Sequence, residues 1–234
     1  TREVREPGCG AKELRVTRMN RTVIVFLAAW PLFYVVAVLI GGLPSDAWIW
    51  TALIPLAAAI IGWAPLRSLA ERFEPTVPML VLLSAALVLL DQGAKLLVQV
   101  LLGWERGIIV IPDAFALRIS PNYHGSYIAS LLNAEVPAWF YLAVYPLIAW
   151  FTFSAMGFYA SRNGKTGWLT LARVFVAAGL VSASVDHLFW GFTLDWLVVQ
   201  GMFACDLKDL FVNLAVLSAL SNLVANPRYS FKLS

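Results

Sequence analysis

Apolar stretches long enough to cross a lipid bilayer recur along this 234-residue chain. A helix that spans the hydrocarbon core needs about 20 apolar residues. Six stretches fit, at about 22–42, 47–66, 78–102, 137–159, 167–189 and 208–225. Charged residues make up 13% of the chain, against roughly 25% in a soluble domain. The sequence therefore predicts an all-α polytopic membrane protein with six transmembrane helices.

Basic residues predict how these spans are oriented, because Lys and Arg concentrate on the cytoplasmic side of a membrane. With six spans, the basic segments share one side. They are the N-terminal tail, the loop with Arg67 and Arg72, the loop with Arg162 and Lys165, and the C-terminal tail with Arg228 and Lys232. We expect both termini to be cytoplasmic, and the segments 103–135 and 195–208 to lie on the outer face.

The outer segment 103–135 contains two short runs rich in β-branched residues, 107–112 and 115–119. Such runs predict a small β element on the outer face, and Pro121 and Gly125 mark a turn after it. A Pro-rich break near Pro75–Pro78 divides the chain. The predicted organisation is a cytoplasmic tail 1–21, two helices in 22–74, a four-helix domain 75–226 with the outer loop 103–135, and a tail 227–234.

Several functional classes lack support in the sequence. No basic patch has interleaved aromatics, so we expect no nucleic-acid partner. Cys9 and Cys205 fall on opposite predicted faces, so they do not pair. The histidines, His124 and His187, stand in separate segments without an H-x-x-x-H or C-x-x-C pattern, so we predict no metal and no other cofactor.

An acidic cluster near the C-terminus carries the main functional signal. Asp186 ends the fifth span, Asp195 lies in an otherwise apolar run, and Asp206 and Asp209 begin the sixth span. Charge is costly in hydrocarbon, so such residues predict a functional site. If Asp195 and Asp209 approach each other, they share a proton and supply an acid and a base together.

A second polar group lies in the third span, where Asp91 and Lys95 share one helix face at i, i+4. Two interpretations remain open for this pair. It is either a neutralising pair with Lys95 extending to the surface, or part of a binding site.

These motifs resemble, in order and spacing, those of the lipoprotein signal peptidase (signal peptidase II) family of bacterial intramembrane aspartyl proteases. The likeness covers about residues 78–225. It rests on Asp91-Gln92-Gly-Ala-Lys95, Asn122-Tyr-His-Gly125, Gly179 to His187, Thr193-Leu-Asp195-Trp196 and Cys205 to Leu210. The nine-residue step from Asp186 to Asp195 matches the family spacing. The chain departs from the family at five positions, and its first two spans are additional. Where the family pattern has an asparagine, an arginine, an asparagine, a small residue and a small hydroxyl, this chain has Ala183, His187, Asp206, Lys208 and Leu210.

The resemblance implies an aspartic endopeptidase of the bacterial inner membrane, with its active site at the outer face. It would remove signal peptides from diacylglyceryl-modified prolipoproteins. The implied partners are these lipid-modified precursors and the membrane lipid. Asp195 and Asp209 take the catalytic positions. The implied substrate-binding residues are Asp91, Lys95, Asn122, Gly125, Asp186, His187 and Asp206.

Two other functions remain open. The chain could be a non-catalytic member of the same scaffold that binds lipidated proteins or joins a membrane complex through its first two spans. The intramembrane acids could also form an ion or proton pathway. Their placement near one face disfavours the pathway, because a relay needs groups across the full membrane thickness.

Overall fold

A computed structural model describes residues 9–41, 48–72, 75–125, 129 and 134–225 of the protein. For residues 9–20 and 41 it describes the backbone alone. Most of the predicted tails and part of the outer segment 103–135 therefore lie outside the described residues.

Six helices of membrane-spanning length and apolarity are present in the described part of the chain, as predicted. They are α1 (Cys9–Gly41), α2 (Trp48–Arg72), α3 (Val77–Leu102), α4 (Ala138–Asn163), α5 (Gly167–Phe189) and α6 (Leu207–Ala225).

The first two helices extend beyond their predicted apolar cores. α1 begins at Cys9, inside the predicted tail, and α2 continues to Arg72. The added residues include Ala, Lys, Glu, Leu and Arg, which favour helix whether or not they are apolar. Hydropathy locates the part of a helix that meets lipid, and the backbone helix continues past it.

A four-stranded antiparallel sheet joins the helices, in the order β1 (Gly107–Ile111), β2 (Phe115–Asn122), β3 (Thr193–Val199) and β4 (Phe203–Cys205). β1 and β2 confirm the predicted β element. The prediction missed β3 and β4, which double the number of strands. Because β3 pairs with β2, Ser120 lies opposite Asp195 and the sheet fixes that aspartate beside the bundle.

The central helix of the bundle is α5, which packs against α2, α3, α4 and α6. Its start is capped by Thr166, whose hydroxyl oxygen accepts a hydrogen bond from the Leu169 amide at 3.1 Å. The same hydroxyl donates to Asn222 Oδ1 near the end of α6 at 2.5 Å. These bonds fix the ends of the two helices that flank the acidic residues.

The two additional helices share the bundle's core. Phe26 of α1 and Ala70 of α2 pack with residues of α5 and α6, including Trp168 and Phe211. α1 also reaches the sheet, where Trp30 and Phe33 make edge-on ring contacts with Phe203 of β4 at centroid distances of 6.5 and 5.7 Å. The N-terminal pair is therefore in direct contact with the strand that leads into α6.

Gly167 marks the closest approach between α2 and α5. A Cβ atom placed there would overlap the backbone carbonyl group of Ala70, so only glycine allows the two backbones to meet at this distance. Backbone atoms cannot move aside as a flexible side chain can, and the contact depends on the missing Cβ.

We expect Gly167→Ala to lower the free energy of unfolding in detergent by about 2 kcal/mol, since overpacking typically costs about 1–3 kcal/mol. Gly157→Ala is the matched control, because a Cβ added at that helical glycine would meet nothing within 4 Å. The control should be neutral or slightly stabilising. Equal stability of the two variants would contradict the close contact between α2 and α5.

Candidate active site

A buried ammonium group organises the polar centre of the bundle. Lys95 Nζ lies 2.7 Å from Asp91 Oδ2, 2.7 Å from Asp186 Oδ2 and 2.8 Å from Asp206 Oδ2. The Lys95 side chain is 2% exposed and the three carboxylates are fully buried. One cation thus joins α3, α5 and the turn before α6.

Asp91 and Lys95 do form a neutralising pair, but the interpretation that Lys95 extends to the surface is wrong. Lys95 points into the bundle and does not extend to the surface. Asp91 accepts a further hydrogen bond from the Lys208 amide at 3.1 Å. Gln92 donates to Asp91 at 3.1 Å and to Asp186 at 3.0 Å. A buried charge of this kind persists only when it is paired and hydrogen-bonded, and here that requirement is met.

A second ammonium group, that of Lys208, lies beside the first. Its Nζ is 2.5 Å from Asp206 Oδ2, 2.9 Å from Asp195 Oδ1 and 3.5 Å from Asp186 Oδ2. Asp206 therefore binds both lysines through one oxygen. We call this group the aspartate–lysine cluster; its members are Asp91, Lys95, Asp186, Asp195, Asp206, Lys208 and Asp209.

Asp206 and Asp209 form a reciprocal pair at the start of α6. The Asp206 amide donates to Asp209 Oδ2 and the Asp209 amide donates to Asp206 Oδ1, each at 3.2 Å. This arrangement satisfies amides that the first helical turn leaves unpaired. It also holds the Asp209 carboxyl group beside Asp206. The two acids therefore do more than interact with the helix dipole in the first turn of α6.

The structure brings Asp195 and Asp209 together, although they belong to different elements. One carboxylate oxygen from each of Asp195, Asp206 and Asp209 lies within 4.8 Å of the others. Asp195 is buried and Asp209 is half-buried. Two carboxyl groups at this separation interact strongly enough to titrate as a unit.

Burial raises the pKa of Asp195, and the ammonium of Lys208 opposes that rise. For Asp206, burial also acts to raise the pKa, but Lys208 and Lys95 together hold it below its ordinary value. The two lysines thus outweigh burial at Asp206, whereas at Asp195 the contact with Lys208 offsets only part of the effect of burial.

Cys205 precedes this turn in β4. Burial, with the nearby Asp209 and Asp195 carboxylates, raises the pKa of its thiol to about 12. The thiolate is the nucleophilic form of cysteine, so Cys205 is unsuited to nucleophilic chemistry near neutral pH. Carboxyl chemistry is what this arrangement favours.

Asn122 and Gly125 lie together at the rim of the site. Asn122 Nδ2 is 3.4 Å from Asp195 Oδ2, and its Oδ1 accepts a hydrogen bond from the Gly125 amide at 3.1 Å. Gly125 has φ +68°, and a Cβ there would lie 2.5 Å from the Tyr141 ring and 2.9 Å from His187. The turn therefore needs glycine both for its conformation and for space.

His187 is buried beneath this turn. Its ring stacks on Tyr141 with centroids 4.5 Å apart and an interplanar angle of 13°. Its Nε2 lies 3.4 Å from the Tyr145 hydroxyl. The structure thus places His187 in the aromatic wall that supports Gly125.

The converging oxygens of Asp195, Asp206 and Asp209 form the one group of potential metal ligands among the described residues, and neither histidine belongs to it. Two of these three carboxylates already bind the Lys208 ammonium. The Lys208 ammonium therefore lies beside these converging oxygens.

Sequence reasoning identified nine site residues, and the structure gathers them at one end of the bundle, with His187 in the aromatic wall. They are Asp91, Lys95, Asn122, Gly125, Asp186, His187, Asp195, Asp206 and Asp209. Sequence reasoning did not assign contacts to Gln92, Lys208, Tyr141 or Tyr145. Of these, Lys208 carried a signal, since a lysine between two aspartates in an apolar segment needs an anionic partner.

Comparison with known proteins agrees with this arrangement. The model of the family described as signal peptidase (SPase) II matches residues 83–225, which include every member of the cluster. The chain belongs to the signal peptidase II family. The match makes it a member of an aspartic peptidase family and leaves α1 and α2 outside the matched region.

Two solved structures share the fold seen here. Both are described as bacterial membrane enzymes determined by the in meso method, at 2.3 and 1.9 Å resolution, and each is 14% identical with a TM-score of 0.51. The first match covers 68% of this chain and 94% of the solved chain, and the second 63% and 93%. No curated protein sequence matches significantly.

We expect Lys95→Met to destabilise this signal peptidase II family member by about 3–5 kcal/mol, because it leaves three buried carboxylates without their shared cation. Unfolding in detergent measures the loss. Arg67→Met is the matched control, since Arg67 forms an i, i+4 pair with Glu71 at 2.8 Å, but Glu71 is 55% exposed. An exposed pair contributes below about 1 kcal/mol. Similar losses in the two variants would contradict the organising role of Lys95.

We expect Gly125→Ala to be more destabilising than Gly191→Ala by about 1–3 kcal/mol. Both glycines have positive φ, +68° and +77°, but a Cβ at Gly191 meets nothing within 4 Å. Because both substitutions strain the backbone in a similar way, the difference in stability between the two variants reports the contact with Tyr141 and His187. Parallel thermal unfolding in detergent tests it, and indistinguishable midpoints would show that the turn does not pack against these rings.

Proposed function

We propose that this protein is an intramembrane aspartyl endopeptidase that removes signal peptides from diacylglyceryl-modified prolipoproteins. The observation that carries the proposal is the convergence of the Asp195 and Asp209 carboxyl groups within 4.8 Å. Membership of the signal peptidase II family supplies the reaction class and the substrate class.

Asp195 and Asp209 are the proposed catalytic residues. One carboxylate removes a proton from a water molecule as its oxygen attacks the scissile carbonyl, and the other carboxyl group protonates the carbonyl oxygen. The resulting tetrahedral diol collapses with cleavage of the C–N bond. The amine leaves with a proton from the first group, and the second group recovers a proton from a diol hydroxyl. Both carboxyl groups return to their starting protonation states.

The remaining site residues divide by distance from this pair. Asn122 and the Gly125 turn lie beside Asp195, where they are suited to binding the substrate backbone. Asp91, Lys95, Asp186 and Asp206 form the buried ion network that supports the pair. His187 contributes through its stacking contact, in the place where the family resemblance expects an arginine.

The proposed location is the bacterial inner membrane, with both termini in the cytoplasm. The distribution of basic residues supports this orientation, which puts the sheet and the Asp195–Asp209 pair at the outer face, where lipid-modified precursors would arrive. We also propose that residues 75–226 form the peptidase domain, and that 22–74 form an additional helical pair available to membrane partners.

A second candidate is a non-catalytic member of the family that binds lipidated proteins or joins a membrane complex. The ion pair between Lys208 and Asp195 favours it, because an ammonium group occupies one oxygen of the proposed pair. The two candidates differ in whether the purified protein cleaves a precursor.

We expect Asp195→Asn and Asp209→Asn each to lower the cleavage rate of a diacylated model precursor by about 10²–10⁴-fold, the usual contribution of an acid–base group. Each variant removes one of the two proton-transfer groups. The measurement is precursor cleavage by the full-length protein in detergent or lipid discs.

Glu71→Gln serves as the control, because Glu71 is exposed and pairs with Arg67 outside the cluster. It should leave cleavage unchanged. Globomycin, an inhibitor of the family, should block the wild-type reaction. An unaltered rate in either aspartate variant would rule out the mechanism, and no cleavage by the wild type would favour the non-catalytic candidate.

A further inference from the structure

The two proposed catalytic carboxyl groups have unequal surroundings. Asp195 forms an ion pair with Lys208 at 2.9 Å and is approached by Asn122 Nδ2 at 3.4 Å. Asp209 accepts a backbone hydrogen bond from Asp206 at 3.2 Å. Within the described residues, no ammonium or guanidinium nitrogen lies within 4.0 Å of the Asp209 carboxylate.

This asymmetry bears on where a shared proton resides. A cation in contact with one carboxylate stabilises its ionised form, and a nearby second carboxylate then binds the proton more readily. Asp195 has such a cation within 4.0 Å, whereas Asp209 has none among the residues that the structure describes.

We propose that Lys208 is a positioning residue that keeps Asp195 ionised as the general base and places the shared proton on Asp209. The inference rests on the proposed peptidase function and assigns its two roles. Neither the family resemblance nor the sequence distinguishes them, because Lys208 is a departure from the family pattern.

The proton transfers then follow one direction. Asp195 takes a proton from water while the water oxygen bonds to the carbonyl carbon, and Asp209 gives its proton to the carbonyl oxygen. On collapse, Asp195 gives its proton to the leaving nitrogen as the C–N bond breaks, and Asp209 recovers a proton from the diol. Lys208 keeps all its protons and orients Asp195 throughout.

Other charges around Asp195 must permit this role. The facing groups are Lys208 and Asp209 of α6, Asp206 of the preceding turn, Cys205 of β4, Asn122 of β2 and, beyond the Lys208 ammonium, Asp186 of α5. Asp206 repels a charge on Asp195, but its own charge is bound by both lysines. Lys208 is the one cation within 4.0 Å of Asp195 in the described chain. It also acts on the Asp209 carboxylate, but at longer range and without such a contact.

The test is the pH dependence of kcat/KM for precursor cleavage by the full-length protein. Its acidic limb reports the base that must be ionised in the free enzyme. Lys208→Met removes the cation beside Asp195 and keeps a similar side-chain length. The pKa of Asp195 should rise, so the limb should move to higher pH by about 1–3 units.

Asp206→Asn/Lys208→Met is the second variant. It removes one negative and one positive charge together, so the cluster keeps its net charge and the variant remains usable if the single change impairs folding. The acidic limb should again move upward, but by less than in the single variant, because the repulsion from Asp206 is lost together with the attraction of Lys208, which is the larger effect. A limb that stays in place, or moves downward, in the folded variants would overturn the proposal.

An activity-independent measurement separates this inference from the proposed function. Infrared titration of the protonated-carboxyl band, taken as a difference between each protein and the same protein with Asp195→Asn, follows Asp195 together with the carboxyl groups coupled to it. Lys208→Met should shift that titration to higher pH even if no precursor is cleaved. An unchanged Asp195 titration refutes the role of Lys208, whereas absent wild-type cleavage with a shifted titration refutes only the peptidase function.

Discussion

The arrangement of the whole site depends on the ion pairs of Lys95. An unpaired ammonium is too costly to bury in an apolar bundle, so α3 is stable in its position only when carboxylates meet this group. Asp91 comes from the same helix, while Asp186 and Asp206 come from α5 and from the turn before α6. The need to pair one charge therefore fixes three parts of the chain relative to one another.

The sheet and the additional helices contribute to the positions of Asp195 and Asp209, the two acids that do not contact Lys95. Asp195 lies on β3, and its position is set by pairing with β2. Asp209 lies on α6, and its position is set by the reciprocal bonds with Asp206. The strand between them, β4, is contacted by Trp30 and Phe33 of α1. An element outside the signal peptidase II match thus packs on the connection between the two acids.

The sequence predicted features that depend on local pattern and missed those that depend on distant partners. Six helices followed from the length of apolar runs, because lipid demands that length. The strand β3 was missed because Thr193 to Val199 alternates weakly and becomes recognisable only through its partner, β2. The Lys95–Asp186 pair joins residues 91 positions apart, so no spacing rule finds it. Family resemblance located both residues without indicating that they touch.

Charge balance explains how the cluster accommodates its two unusual members. Where the family pattern has an asparagine and a small residue, this chain has Asp206 and Lys208, so one negative and one positive charge are added together. The two groups bind each other at 2.5 Å, which offsets the cost of burying either alone.

The cluster's five carboxyl groups still face two ammonium groups, so full ionisation would leave more negative than positive charge in a buried site. A low dielectric disfavours that state, and proton sharing among the acids follows from the composition of the cluster itself. The added pair of Asp206 and Lys208 leaves this excess unchanged and alters its distribution, because the Lys208 ammonium contacts Asp195 and not Asp209.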